Sequence, residues 1–331
     1  MKKFFWTDNT HLEEEVVSFF RKIEEFNQKE FDGQISMILL GSMSRGEASW
    51  KRINGVDTIV SDIEVLTLLP VGFSKLERLH QVFNMIKEES FPDQHSTLFH
   101  IDYCVASNGY DMSRMERKLL TYDANVYGYT VVGIDYKNTM PLVTYSNINL
   151  HDIWEILIHR IFSVLYWGKP LKDAGNIEEY RYNLAKNSLD LMTVMLINNQ
   201  QLVSGFANRL EAIKNLDLAQ HIKDYFEYCL SVKFSTESVH SFTISEMESV
   251  FIQILDEQNR LFTHHFRNDI NNIAHILKRY AGQIKRAIRT KHIPSSQKRH
   301  LKNMIILFNE NQNLSDSNLL DNYVLNGYPI I

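Results

Sequence analysis

Apolar residues in the first part of the chain recur with two different periods. Between Thr10 and Phe31 the apolar positions Leu12, Val16, Phe19, Phe20, Ile23 and Phe26 follow steps of three and four, which place them on one helical face. Thr10 stands where a cap would, with Glu13 at capping-box spacing, so a packing helix is expected there. Ile35–Leu40 is then an apolar run, interrupted only by Ser36, with β-branched members, bounded by Gly33 and Gly41, and reads as a short buried strand. Ser61–Leu69 reads as a second strand, too apolar for a solvated edge, and Leu98–Val105 as a third. Helices are expected over Ser74–Glu89 and Met112–Tyr122, and a short closing strand over Gly128–Gly133. The stretch Trp50–Ile59, with Lys51, Arg52, Asn54 and Gly55, reads as a loop insertion.

After a connection over Lys137–Leu150 that contains Pro141, the pattern becomes helical throughout. Helices are expected over His151–Trp167, Glu178–Asn198, Val203–Asn215, Leu216–Val232, Ser245–His265 and Asp269–Arg289. Asn309–Asp321 is polar and reads as a loose segment. The expected fold is α+β: a small mixed β-sheet with flanking helices over residues 1–137, followed by an all-α helical domain over 138–331.

Composition narrows the class. The chain has 331 residues, 44% hydrophobic and 23% charged, which is ordinary for a globular protein of two domains. A net charge of −5 gives no general attraction to nucleic acid. Two distant cysteines, Cys104 and Cys229, offer neither a disulfide framework nor a zinc site. No apolar signal region follows Met1, and no apolar run approaches the ~20 residues that span a bilayer, so a cytoplasmic protein without membrane contact is expected.

The candidate chemistry lies in residues 35–64 and at Asp102. Gly41-Ser42, followed by Ser44, Arg45 and Gly46, makes a turn whose backbone N–H groups and hydroxyl suit phosphate oxygens. Asp62 and Glu64 stand at i and i+2 of a strand and so point to one face. Asp102 is the acid in the middle of the third strand. Carboxylates on neighbouring strands repel one another unless cations lie between them. Such hard oxygen ligands suit Mg²⁺, and a pair of ions about 3.5–4 Å apart stabilises both oxygens of an in-line phosphoryl displacement.

This order of apolar strand, Gly-Ser, Asp-x-Glu and a third acid on a later strand resembles the nucleotidyltransferase superfamily typified by DNA polymerase β. Gly41-Ser42-x-Ser44-Arg45-Gly46-Glu47 and Ser61-Asp62-Ile63-Glu64 look most like its aminoglycoside nucleotidyltransferase branch. The stretch between Ser42 and Asp62 is longer than that family usually has. The resemblance implies a metal-dependent enzyme that moves a nucleoside monophosphate, AMP from ATP, to a hydroxyl of a small-molecule acceptor and releases pyrophosphate. It implies that Asp62, Glu64 and Asp102 are catalytic and bind two Mg²⁺ ions, with Mn²⁺ as a substitute. Gly41 and Ser42 would hold the β/γ-phosphates. Arg45 would add charge there or pair with Glu47 at the surface. Lys186, from the helical domain, would reach over an interdomain cleft to the triphosphate. Rival readings that share the motif are a protein-AMPylating enzyme and a synthase of cyclic or oligonucleotide second messengers. An inactive nucleotide-binding interaction protein is a further alternative, opposed by the presence of all three acids.

Three other features are weighed against plainer readings. Tyr182, Lys186 and Asp190 share a helical face, where a Lys186–Asp190 pair on a solvated surface would be unremarkable. A basic run from Lys278 to Lys302 holds no acid, but only Tyr280 is interleaved, so single-strand stacking is not supported and nucleic acid is not expected as a partner. His264-His265 point about 100° apart on a helix and make a poor metal pair, and the Arg267 to His275 spacing departs from the Arg-x-His pattern of HEPN ribonucleases.

Overall fold

The computed structural model describes residues 3–266 except 54, 93, 95–98, 107, 108, 114, 149–151, 154, 155, 158, 159, 161, 162 and 204. The chain divides into two compact units, one of Met1–Asn149 with Phe234–Thr236, the other of Leu150–Lys233 with Glu237–Ile331. The expected helix over Asp269–Arg289, the basic run Lys278–Lys302, Arg267 and His275, and the segment Asn309–Asp321 lie outside the described residues.

The first unit is built on a four-stranded mixed sheet. Its strands are β1 (Ser36–Leu40), β4 (Ile63–Leu68), β5 (Ile101–Ala106) and β6 (Tyr129–Val132), in the order β5-β4-β1-β6. β1 runs antiparallel to both β4 and β6, while β4 and β5 are parallel. Every residue of β1 is buried, as suits a central strand covered on both faces. One face carries Met37, Leu39, Ile63 and Val65 into a core shared with α1 (Thr10–Glu30) and α3 (Leu76–Ser90), through Phe19, Phe20, Ile23, Val82, Phe83 and Ile86. The other face carries Ile38, Leu40, Leu66 and Leu68 against Met112, Met140 and Ala124 of α4 (Leu119–Tyr127).

Several expected elements shift. The cap of α1 is Asn9, whose Oδ1 accepts from Leu12 N at 3.1 Å. Glu13 instead accepts from Phe4 N at 2.8 Å and Phe5 N at 3.1 Å, tying the N-terminal segment to the helix. The helix expected at Met112–Tyr122 starts only at Leu119. The Asp111 carboxylate accepts from Ser113 N at 2.9 Å, a local bond that competes with helix formation. The connection after Lys137 packs with the first unit: Lys137 Nζ donates to Gly128 O at 2.6 Å and Val143 N to Asn125 Oδ1 at 3.0 Å.

The Trp50–Ile59 stretch is not a loop. It forms a separate antiparallel pair, β2 (Trp50–Ile53) and β3 (Val56–Ile59), registered Trp50↔Ile59 to Ile53↔Val56. The sequence between the strands, Asn54-Gly55, is a dipeptide favoured between hairpin strands. Gln94 extends the ladder from its side chain, accepting from Ile59 N at 2.7 Å and donating to Asp57 O at 3.0 Å. Trp50 and Ile59 pack into the core beneath α1, so the hairpin belongs to that side of the sheet.

The second unit is helical in its described residues. Ser163–Gly168 is a π-helical turn running into α5 (Lys169–Asp173). α6 (Ile177–Asn198), α7 (Phe206–Lys214), α8 (Gln220–Phe234) and α9 (Ile244–Phe266) follow. α6 is buried nearly all round, from Tyr180 to Ile197. Tyr180 Oη donates to Glu248 of α9 at 2.6 Å, and Ser188 Oγ lies 2.7 Å from Tyr225 Oη of α8.

Candidate active site

β4 opens at Ile63, so Asp62 stands one residue ahead of the strand rather than within it. Strand pairing places the other two acids. Glu64 lies directly opposite Asp102 in the parallel β4–β5 register and opposite Leu40 in the antiparallel β1–β4 register. Adjacent strands are about 4.8 Å apart, and opposed residues of a parallel pair face the same way. Glu64 and Asp102 are therefore side by side, at the sheet end where β1 gives way to Gly41. Asp62 and Glu64 are half-buried and Asp102 is exposed, so the acids can reach solvent and a ligand.

The Gly-Ser turn is a five-residue helix, α2 (Gly41–Arg45), that starts where β1 ends. Gly41 has φ +65°, a left-handed conformation that favours glycine. A Cβ at this position would sit 2.7 Å from Glu64 Cδ. The Glu64 carboxylate thus occupies the space that any other residue's side chain would need. Ser44 Oγ donates to Gly41 O at 2.9 Å, and Glu47 N donates to Ser42 O at 2.8 Å. The Ser42 side of the turn is half-buried.

The segment that delivers Asp62 is clamped to the segment that leaves this turn. Ser49 N donates to Ser61 Oγ at 2.8 Å, and Val60 N donates to Ser49 O at 3.0 Å. Ile63 N then donates to His100 O at 2.9 Å, which fixes β4 against the start of β5. The hairpin β2–β3 rises from this clamp, so its length does not disturb the acids.

Arg45 departs from expectation. Its pair with Glu47 is buried, not superficial: Nε lies 2.8 Å from Glu47 Oε2, with side-chain exposures of 7% and 5%. Nη1 lies 3.2 Å from Asp123 Oδ2 on α4. Burial alone would lower the guanidinium pKa, but the charges of Asp123 and Glu47, the Glu47 hydrogen bond and the charge of Glu64 outweigh it and hold it above its ordinary value. Two of its guanidinium nitrogens, Nε and Nη1, are engaged in these ion pairs. Sequence spacing suggested the Glu47 contact; nothing local announced Asp123, 78 residues away.

Lys186 lies half-buried on α6 of the second unit, between the buried Tyr182 and Asp190. Asp190 pairs with Arg160 Nε at 3.0 Å.

Asp62, Glu64 and Asp102 supply only oxygen donors, which suit Mg²⁺. Among the described residues no three His, Cys, Asp or Glu side chains gather into a ready cation site. The acids form an open array instead, two side by side and a third just ahead of the strand. That still fits Mg²⁺, which is commonly held by one or two carboxylates and completed by substrate phosphates and water.

The chain matches no family model and no curated protein. Among solved structures it is similar to spectinomycin adenyltransferase AAD(9) from Enterococcus faecialis, crystallised with ATP and spectinomycin. The TM-score is 0.48 at 11% sequence identity, and the match covers 72% of this chain and 97% of that chain. At that level the likeness carries no weight for residue roles, activity or substrate.

Proposed function

We propose that this chain is a metal-dependent nucleotidyltransferase that moves AMP from ATP to a hydroxyl of a small molecule and releases pyrophosphate. The observation that supports it most is the placement of Glu64 beside Asp102, with the Glu64 carboxylate filling the space over Gly41 at the start of the Gly-Ser turn. This couples a carboxylate pair to a backbone turn fit for phosphate, which is the pairing that nucleotidyl transfer needs.

In this reading Asp62, Glu64 and Asp102 would hold the two Mg²⁺ ions. Bound there, the ions would neutralise phosphate charge and lower the pKa of the acceptor hydroxyl. Gly41 and Ser42 hold the β/γ-phosphates, and Lys186 adds a further phosphate contact. The acceptor oxygen forms a bond to the α-phosphorus as the bond from that phosphorus to the β-phosphate's bridging oxygen breaks. Asp102 accepts the hydroxyl proton, and pyrophosphate leaves. Much of the rate comes from holding acceptor and phosphate in line.

A small acceptor agrees with the net charge of −5, which gives no general pull on nucleic acid. Among the described residues no helix is long and apolar enough to cross a membrane. We take the cytoplasm as the place of action. The test is incubation of the purified protein with each α-labelled NTP, Mg²⁺ and a panel of aminoglycosides, aminocyclitols and polyols, beside a cell extract. The expected result is ATP-dependent label in a small product, with equimolar pyrophosphate. Label in protein or in a nucleotide product would contradict the acceptor assignment, and no NTP consumption under any condition would contradict the whole reading.

A further inference from the structure

Three consecutive residues between the Gly-Ser turn and the hairpin commit their backbones to three different neighbours. Glu47 N donates to Ser42 O at 2.8 Å, back into the turn. Ala48 forms a parallel bridge with Phe5: its N–H donates to Phe4 O at 3.0 Å, and its carbonyl accepts from Trp6 N at 3.0 Å. Ser49 N donates to Oγ of the buried Ser61 at 2.8 Å, and Ser49 O accepts from Val60 N at 3.0 Å. Asp62 follows Ser61 directly. The segment ahead of α1 is fixed in turn. The Glu13 carboxylate of α1 accepts from Phe4 N at 2.8 Å and from Phe5 N at 3.1 Å, and Phe4, Phe5 and Ala48 are all buried in the core that α1 covers. Hydrogen bonds to an ionised carboxylate are roughly twice as strong as neutral ones. An unbroken run of contacts thus leads from Glu13 through residues 4–6 and 47–49 to Ser61 and the backbone that carries Asp62.

We propose that residues 47–49 are a spacer that sets Asp62 relative to the Gly-Ser turn, and that Glu13 and Ser61 are the positioning residues that hold this spacer. Glu13 acts through Phe4, Phe5 and Ala48, and Ser61 acts through Ser49. The sheet register fixes Leu40 opposite Glu64, but Gly41–Arg45 and Asp62 lie beyond the paired residues, where the spacer joins them. On its other side Asp62 is followed by Ile63, whose N–H donates to His100 O at 2.9 Å and registers β4 on β5. Loosening the spacer therefore frees Asp62 and the turn without unpairing the sheet. A displacement of 1 Å at a reacting centre costs about 10²-fold in rate. The consequence of the spacer for catalysis rests on the nucleotidyltransferase reading above; its consequence for the backbone does not.

The test is amide hydrogen exchange and steady-state kinetics on the full chain as wild type, Glu13→Ala, Glu13→Gln and Ser61→Ala. Exchange is read without metal or nucleotide, and kinetics well below each variant's melting temperature. Glu13→Ala should speed exchange at the amides of residues 4–6, 47–49 and 60 by roughly tenfold or more, with the amides of β1 and β4 unchanged. Ser61→Ala should do the same at residues 49 and 60 and leave residues 4–6 as in wild type. Glu13→Gln keeps one acceptor oxygen and should fall between wild type and Glu13→Ala. In turnover, Glu13→Ala and Ser61→Ala should each lose about tenfold or more in kcat, with KM for ATP raised by less, and Glu13→Gln should lose less than Glu13→Ala. If Ser61→Ala does not fold, the two Glu13 variants decide the matter. Exchange at residues 47–49 as slow in Glu13→Ala as in wild type would overturn the proposal. So would equal acceleration through β1 and β4, which marks general destabilisation. Wild-type kcat in a variant whose spacer exchanges faster, or a change confined to KM, would overturn it too. If wild type turns over no NTP while exchange behaves as stated, the spacer stands and the functional reading fails.

Discussion

Substituting Gly41 by alanine separates the cost of a backbone conformation from the cost of displacing a carboxylate. At φ +65° an alanine should lose about 1–2 kcal/mol relative to glycine from left-handed sterics. The added Cβ would also lie 2.7 Å from Glu64 Cδ and 3.4 Å from its Cγ, where relaxed carbon contacts are about 3.5–4.0 Å. The clash falls on the far end of a flexible side chain, so Glu64 can swing away by about 1 Å at little cost in stability. The same displacement at a reacting centre costs about 10²-fold in rate. Gly41→Ala should therefore unfold in urea with a loss of about 1–2 kcal/mol yet lose about 10²-fold in pyrophosphate release. Gly72→Ala is the control: Gly72 has φ +77° but nothing within 4 Å of an added Cβ, so it should show a similar stability loss with turnover unchanged. Equal turnover losses in the two variants, or none in either, would refute the reasoning that Glu64 needs the space over Gly41.

Two further outcomes follow from the second unit. Lys186→Ala should change folding stability by no more than about 0.5 kcal/mol but weaken a non-hydrolysable ATP analogue by about 1.5–3 kcal/mol in calorimetry; unchanged affinity would remove Lys186 from the site. Burial pushes the Cys229 thiol up to about 12, against the opposing hydrogen bonds of Tyr225 and Ser188. An unfolded cysteine ionises near 8.5. The unfolded chain therefore sheds this proton first as pH rises, and stability present below about pH 8.5 is lost towards 12 at up to about 1.4 kcal/mol per pH unit. Urea melts at pH 8 and 9.5 should show that slope in wild type and a shallower one in Cys229→Ala; equal slopes would contradict it.

Much of the fold was legible because burial and period agree. β1 and β4 read as apolar runs and are buried on both faces, and α1 carries its apolar stripe exactly where i, i+3, i+4 steps put it, into the core under the sheet. What failed was local chemistry that competes with period. Asp111 and Thr121 bind nearby backbone, Thr121 Oγ1 donating to Glu116 O at 2.6 Å, and the helix starts late at Leu119. The Asn54-Gly55 dipeptide between two four-residue runs was a hairpin signal that a reading by length alone passed over. At the site, the order of the three acids was visible, but the direct opposition of Glu64 and Asp102 depends on strand register, which spacing does not encode. The inward course of Arg45 depends on Asp123, brought to it only by the packing of α4 on the sheet.

The central claim is that the carboxylates beside the Gly-Ser turn carry out nucleotidyl transfer. The most direct measurement is pyrophosphate release from ATP, with Mg²⁺ and the acceptor found by labelling, in wild type, Asp62→Asn and Glu64→Gln. Each substitution removes one anionic ligand at nearly constant shape, and circular dichroism checks that both variants fold. The account predicts roughly a 10²-fold or greater loss in each variant. Near wild-type release in both folded variants would contradict it.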